Sequence, residues 1–271
     1  MTDVHLHVDD EDGRYRAVAE VEVPGTPEEV WEVIATGPGI EAWFVPAEVE
    51  PREGGRFVTH HGSFGASEGV VTAWEPPHRL AYDEPDWQGD GTAVPPWNTE
   101  ILVEARTGDT CVVRLSSGFL AGGEDWQDDI RGTFDGWRGA LRNLRIYLTH
   151  FAGLPVTTLT VMHEVQEGQP LPDVRAAAGL GGVRRGDETR TAADAPALRG
   201  TVEEVGDDSV TLRTTEPSAG LVELATVEWG STRMIVVRGT LYGADGPAVR
   251  DREQPAWEDW AAALAATAAE G

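Results

Sequence analysis

Residues 126–151 read WQDDIRGTFDGWRGALRNLRIYLTHF, and their spacing decides the fold. Ile130, Phe134, Trp137, Leu141, Leu144 and Leu148 recur at steps of four, three, four, three and four, the stripe of an amphipathic helix. Arg131, Arg138, Arg142 and Arg145 fall on the opposite side. Asp125, Asp128 and Asp129 stand at its start, where the helix dipole favours anions. A long helix with an aromatic and aliphatic stripe has to bury it, and the partner on offer is the run of strands upstream.

Those strands are read from alternation and turn chemistry. In residues 15–23 Ala17, Ala19, Val21 and Val23 share one face while Arg16, Glu20 and Glu22 share the other. After Pro24-Gly25, Thr26 caps a helix with Pro27 at its first position and Glu29 three residues after the cap, a capping box. Val30, Trp31 and Ile34 form its apolar side, the glycines of 36–39 stop it, and a short turn leads to Trp43 and Phe44. Further strands are expected at 55–61, 69–74, 79–82, 99–106 and 110–119. Thr107-Gly108-Asp109 joins the last two as a hairpin, and 83–98 is a proline- and tryptophan-rich excursion. An antiparallel meander closed by one long helix is an α+β grip.

Charge and composition narrow the function. The 271 residues carry 47 acidic side chains against 21 basic ones, every one of them arginine, for a net −26. Residues 1–155 hold 11 Arg against 28 acids and the remainder 10 against 19, so both halves would repel a phosphate backbone or an anionic leaflet. No nucleic-acid or membrane partner is expected, and no apolar run approaches the roughly 18 residues a span needs. The acidic start MTDVHLHVDDEDG has no basic signal-peptide region, and the single Cys111 suits a reducing compartment, so a cytoplasmic location is expected.

The second half restates the order in shorter form. Residues 159–166 resemble the first strand, 169–180 a short helix, 199–214 the pair at 68–82, and 221–243 the hairpin at 101–120. The tail AWEDWAAALAATAAEG stands where the long helix stood, and 181–197 has loop composition. Three segments follow: an acidic flexible terminus at 1–13, a first domain at 14–153 and a reduced copy at 156–271 whose cavity is small or absent.

The pieces Val30-Trp31, Trp43-Phe44, Gly54-Gly55, Gly69-Val70, Pro76-Pro77 with Leu80, and Gly136-Trp137 come in an order that resembles the SRPBCC (START-like) superfamily. The chain is most similar there to domains like the C-terminal part of the activator of heat-shock protein 90 ATPase. The resemblance covers 14–153. It implies a helix-grip fold, with an antiparallel sheet curled around the last helix and an elongated cavity between them. It also implies a hydrophobic or aromatic small molecule as ligand, or a chaperone or other protein as partner in a bacterial stress response. It carries no shared catalytic residues and no cofactor.

On that basis the ligand-binding candidates are Trp43, Phe44, Phe57, Trp74, Tyr82, Phe134, Trp137 and Leu141, each of which is also a natural core residue. No coherent catalytic set stands out. His60 and His61 point to opposite faces of a strand, so at most one reaches a cavity, with Arg56, Arg114 and Tyr82 as the other polar candidates. Asp83, Glu84 and Asp86 read as a solvated rim, and His5 and His7 beside Asp9 to Asp12 as a frayed end, so no metal site is expected. HEVQEG at 163–168 lacks the second histidine of a zinc-protease helix, and Cys111 reads as inert packing. Non-catalytic binding of a hydrophobic or aromatic molecule is the favoured function. A cyclase- or aromatase-type enzyme in the same cavity and a chaperone-associated module are its alternatives.

Overall fold

The computed structural model describes residues 4–9, 15–87, 95–120, 127–229 and 232–268. Contacts group the chain into two compact units, Met1–Ala152 and Gly153–Gly271.

The first unit runs β1 (His5–Asp9), β2 (Tyr15–Pro24), α1 (Pro27–Ile34), α2 (Gly37–Glu41), β3 (Ala47–Val49), β4 (Arg56–His60), β5 (Ala66–Glu75), β6 (Arg79–Glu84), β7 (Trp97–Arg106), β8 (Thr110–Phe119) and α3 (Gln127–His150). The eight strands form one antiparallel sheet in the order β1-β2-β8-β7-β6-β5-β4-β3. α3 lies against β2, β8 and β1, which is the helix-grip arrangement. Half of its stripe, Ile130, Leu141 and Leu144, is fully covered, and Phe134, Trp137 and Leu148 are partly buried. The α1 start is a true capping box, with Thr26 Oγ1 accepting from Glu29 N at 3.3 Å and Glu29 Oε2 accepting from Thr26 N at 2.9 Å.

Two elements depart from expectation. Residues 5–9 are a strand paired with 16–20 in register His5↔Glu20 to Asp9↔Arg16, so the N-terminal segment is no frayed tail over that span. Its alternation of His5, Leu6, His7 and Val8 was there to read, but the acidic run behind it dominates the composition. The supposed excursion also surrenders residues at both ends. Asp83 and Glu84 extend β6 and pair with Asn98 and Trp97 of β7, and residues 88–94 lie outside the described segments.

At Gly118 two backbones approach closely. It sits in β8 between Arg16 of β2 and Asn98 of β7, with φ +142°, and an added Cβ would stand 2.3 Å from Tyr15 O. Both the dihedral and the collision are with backbone, so neither relaxes by a rotamer change. Gly118→Ala is expected to lower unfolding stability by about 1–3 kcal/mol. An unchanged urea midpoint would show that the strands part there without cost.

The second unit contains β9 (Val156–Glu164), α4 (Val174–Ala177), β10 (Glu188–Arg190), β11 (Arg199–Val205), β12 (Ser209–Glu216), β13 (Gly220–Trp229), β14 (Thr232–Tyr242) and α5 (Gly246–Ala268). Its sheet order β9-β14-β13-β12-β11-β10 is that of β2-β8-β7-β6-β5-β4, and α5 packs on β9 and β14 as α3 does on β2 and β8. It is the same fold reduced by its outer strands. Trp257, Ala261 and Ala265 of α5 fill its core with Leu224, Ile235 and Val237. The span 181–197, loop-like in composition, holds the edge strand β10; its Glu-Thr-Arg sequence has no apolar alternation to reveal it.

Candidate functional site

Register turns the first sheet's inner face into rungs. One rung is Val21, Val113 and Val103, and the next is Ala19, Leu115, Ile101 and Leu80. The third is Ala17, Ser117, Thr99 and Tyr82; beyond it Tyr15 pairs with Phe119 and Glu84 with Trp97, whose ring lies 5.2 Å from that of Phe119, as a fourth. The face thus grades from aliphatic to hydroxylic to aromatic and acidic along the strands. The first two rungs belong to the main core, sealed by Leu141 and Leu144.

At the polar end a cavity of about 520 Å³ opens. Strands β5 to β8 give Ser67, Glu84, Trp97 and Ser117 to its wall. The turn beyond β6 adds Asp86 and Trp87, the segment after β4 adds His61 and Phe64, and α3 adds Thr133, Gly136 and Trp137. Phe44, just past α2, completes it, its ring 5.2 Å from that of Trp137. The 3-10 turn Gly62–Phe64 is what carries His61 off the strand and into the wall, where its Nε2 lies 3.0 Å from Thr59 Oγ1. His60 faces away, exposed, 3.1 Å from Glu48 Oε1.

The polar atoms of the wall are mostly committed to one another. Trp97 Nε1 donates to Ser117 Oγ at 2.6 Å, Ser117 and Thr99 share a hydrogen bond at 3.1 Å, and Tyr82 hydrogen-bonds with Thr99. Trp87 Nε1 donates to Pro95 O at 3.2 Å. Burial together with the nearby Glu84 charge pushes the Tyr82 phenol well above its ordinary range, so it stays a neutral hydroxyl. One donor is left over: the indole N–H of Trp137 is buried and finds no acceptor. A buried donor without a partner is costly, which marks a place where a ligand acceptor would be welcome.

Glu84 is the site's titratable centre. Desolvation raises its carboxyl pKa above the usual 4.5, opposed by the hydroxyl that Ser67 donates to it. Its reading as solvated rim is therefore corrected: as the last residue of β6 it points inward beside Trp97. Above pH 4.5 the folded chain holds this proton where the unfolded chain has lost it, so the group's contribution to stability falls as pH rises. Glu84→Gln is expected to be level with the wild type below that pH and progressively more stable above it. The gap grows to at most about 1.4 kcal/mol for each unit of displacement, less the share that solvent screens. Denaturation of both proteins from pH 4 to pH 8 checks this, and a pH-independent difference would contradict it.

Of the eight candidates, the structure brings Phe44 and Trp137 together on the cavity wall. Trp43 is buried with its Nε1 donating to Val33 O at 3.1 Å. Phe57 stacks on Tyr82 at 3.8 Å in the core, Trp74 meets Trp31 edge-on at 5.1 Å, and Leu141 is fully covered. Phe134 packs by the cluster of Ala17, Trp97, Phe119 and Ile130. Trp87, Trp97, Glu84 and Ser67 were not singled out as lining. Their signal was the strand continuation past Tyr82 and before Thr99, which would have turned 84 and 97 to the same face as 82 and 99. Arg56 and Arg114 lie elsewhere, paired with Glu68 at 2.9 Å and with Glu20 respectively. Cys111 is buried in the core, its Sγ 3.3 Å from Gly25 O. In the second unit a depression of about 980 Å³ lies at the β10–β11 edge, lined by Arg190, Leu198, Arg199 and Glu216 among others, away from α5. Among the described residues no three His, Cys, Asp or Glu side chains gather as a metal site, and no helix is long and apolar enough to cross a membrane. The Asp10 to Asp12 part of the suggested metal cluster lies outside the described residues.

The family model described as "Activator of Hsp90 ATPase homolog 1-like protein" matches residues 24–149. Solved structures with a similar fold include protein MLL2253 from Mesorhizobium loti, 22% identical over 49% of this chain and 96% of its own, TM-score 0.43. CalU16 from Micromonospora echinospora is 18% identical over 54% and 84%, TM-score 0.41. DynU16, from the dynemicin biosynthetic locus, is 16% identical over 93% and 97%, TM-score 0.44. These likenesses decide neither the fold nor the site of this chain. Among curated proteins no match was found. Over residues 24–149 the first unit is thus similar to activator of Hsp90 ATPase homolog 1-like proteins.

Proposed function

We propose that this domain binds a hydrophobic or aromatic small molecule in the 520 Å³ cavity at the polar end of its sheet. The observation that carries the reading is the wall itself. Five aromatic rings, Phe44, Phe64, Trp87, Trp97 and Trp137, surround a space within the 300–1,000 Å³ typical of small-molecule sites, and one buried donor is unmet. With the N–H groups of Trp87 and Trp97 committed, what those indoles offer a ligand is ring carbon. The uncharged dye Nile red tests it: saturable fluorescence enhancement at one site is expected, as is an adduct in native mass spectra of freshly purified protein. Absence of both would remove the reading.

A second reading, acid–base catalysis, has one observation in its favour: Glu84 keeps its proton above the ordinary carboxyl range and faces the cavity, as a general acid would. If turnover occurs, a molecule co-purifying with Glu84→Gln differs in mass from that on the wild type; identical masses would withdraw this reading. A chaperone-associated role has only the family's name and the acidic surface behind it, and a pull-down recovering no chaperone above background would dispose of it.

A further inference from the structure

We propose that the ligand of this cavity is an organic cation, an apolar or aromatic body bearing a protonated amine that Glu84 receives. The inference rests on the small-molecule reading above and deepens it.

Its basis is what the wall contains and lacks. Two carboxyl groups line the cavity, Glu84 inside and Asp86 at its exposed rim, yet no arginine does among the described residues, although the chain has 21 basic side chains. Among the described residues Glu84 has no ion-pair partner; its one hydrogen bond comes from Ser67. Arginines of this sheet are engaged away from the cavity, Arg79 with Glu100 at 2.8 Å and Arg56 with Glu68 at 2.9 Å. A carboxyl set among rings, with no arginine on the described wall, is poorly placed for an anionic ligand, which it would repel. For a cation both features help, because ring faces attract positive charge through their quadrupole and a carboxylate pairs with it. An ammonium arriving beside Glu84 restores the charge that burial suppresses, so binding releases a proton wherever the empty site is protonated. The polar groups around this cavity besides Glu84 are Ser67 on β5, which hydrogen-bonds to it, Tyr82 on its own strand, Asp86, His61, and Thr133 and Trp137 on α3. Of these only His61 can become cationic, and its protonation at low pH would oppose the amine in the same direction as protonation of Glu84. The Trp137 N–H remains open to an acceptor elsewhere on the ligand.

Three probes of one shape test the charge: 1-naphthylmethylamine, the neutral 1-naphthalenemethanol and the anion 1-naphthoate, titrated by calorimetry at pH 7.5. The amine is expected to bind at least tenfold tighter than the alcohol, and the anion more weakly than either. Amine affinity rises as the pH is raised above 4.5 while alcohol affinity stays level. Glu84→Gln lowers amine affinity at least tenfold and flattens its pH dependence. Should that variant misfold, the wild-type comparison of amine with alcohol still decides. Amine and alcohol binding within twofold of each other, or naphthoate binding as tightly, overturns the cation assignment while the cavity reading stands. Failure of all three probes to bind overturns both.

Discussion

Leu144→Ala is expected to destabilise the protein by about 3–4 kcal/mol, the largest single-site loss foreseen for the first unit. Leu144 is fully buried in the C-terminal half of α3, in one cluster with Val21, Leu115, Ile101 and Val113 from the sheet's aliphatic rungs. Truncation removes the transfer free energy of three carbons, and the walls around it are strands held in register on both sides, so the void collapses poorly. Helix propensity works the other way but weakly, since Ala exceeds Leu by only a few tenths of a kcal/mol. Urea denaturation followed by tryptophan fluorescence reads the loss directly. A cost below about 1 kcal/mol would mean that α3 does not clamp the aliphatic half of the sheet.

Gly136→Leu is expected to reduce Nile red affinity by tenfold or more without a loss of stability. Gly136 lies on α3 in the cavity wall, and a Cβ built there meets nothing within 4 Å. A glycine inside a helix costs roughly 0.5–1 kcal/mol relative to alanine, so any side chain that finds room there stiffens α3. The leucine carbons beyond Cβ have the cavity to fill, and they take space from a ligand. Gly136→Ala separates the two effects: it adds one carbon to open space, and should gain stability while binding persists. Unimpaired binding by Gly136→Leu would place the ligand somewhere other than this cavity.

The fold was readable because it rests on local signals that repeat. The i, i+3, i+4 stripe from Ile130 to Leu148 and the capping box at Thr26 and Glu29 are contained in short windows, and so is the Thr107-Gly108-Asp109 turn with Asp109 at φ +52°. The repeated topology was readable for the same reason, strand by strand. The β10 edge was not, because a three-residue polar strand is defined only by the neighbour it pairs with. The site divides likewise. Phe44 and Trp137 came from the family pattern and line the cavity, but Trp43, Phe57, Trp74, Tyr82 and Leu141 carry equal aromatic or apolar weight in sequence and lie in the core.

From its sequence alone this protein is bound to be an acidic α+β grip with an arginine-faced closing helix and a shortened repeat, since alternation, caps and net charge are properties of neighbours along the chain. Tertiary structure alone decided which end of the sheet stays hollow. Register sets Ser117, Thr99 and Tyr82 in one rung and Phe119, Trp97 and Glu84 in the next, joining residues up to 35 positions apart. The hollow lies where hydroxyls and large rings replace aliphatic side chains opposite a glycine of the helix, and a carboxyl among those rings loses its water. Such an environment belongs to no short stretch of chain.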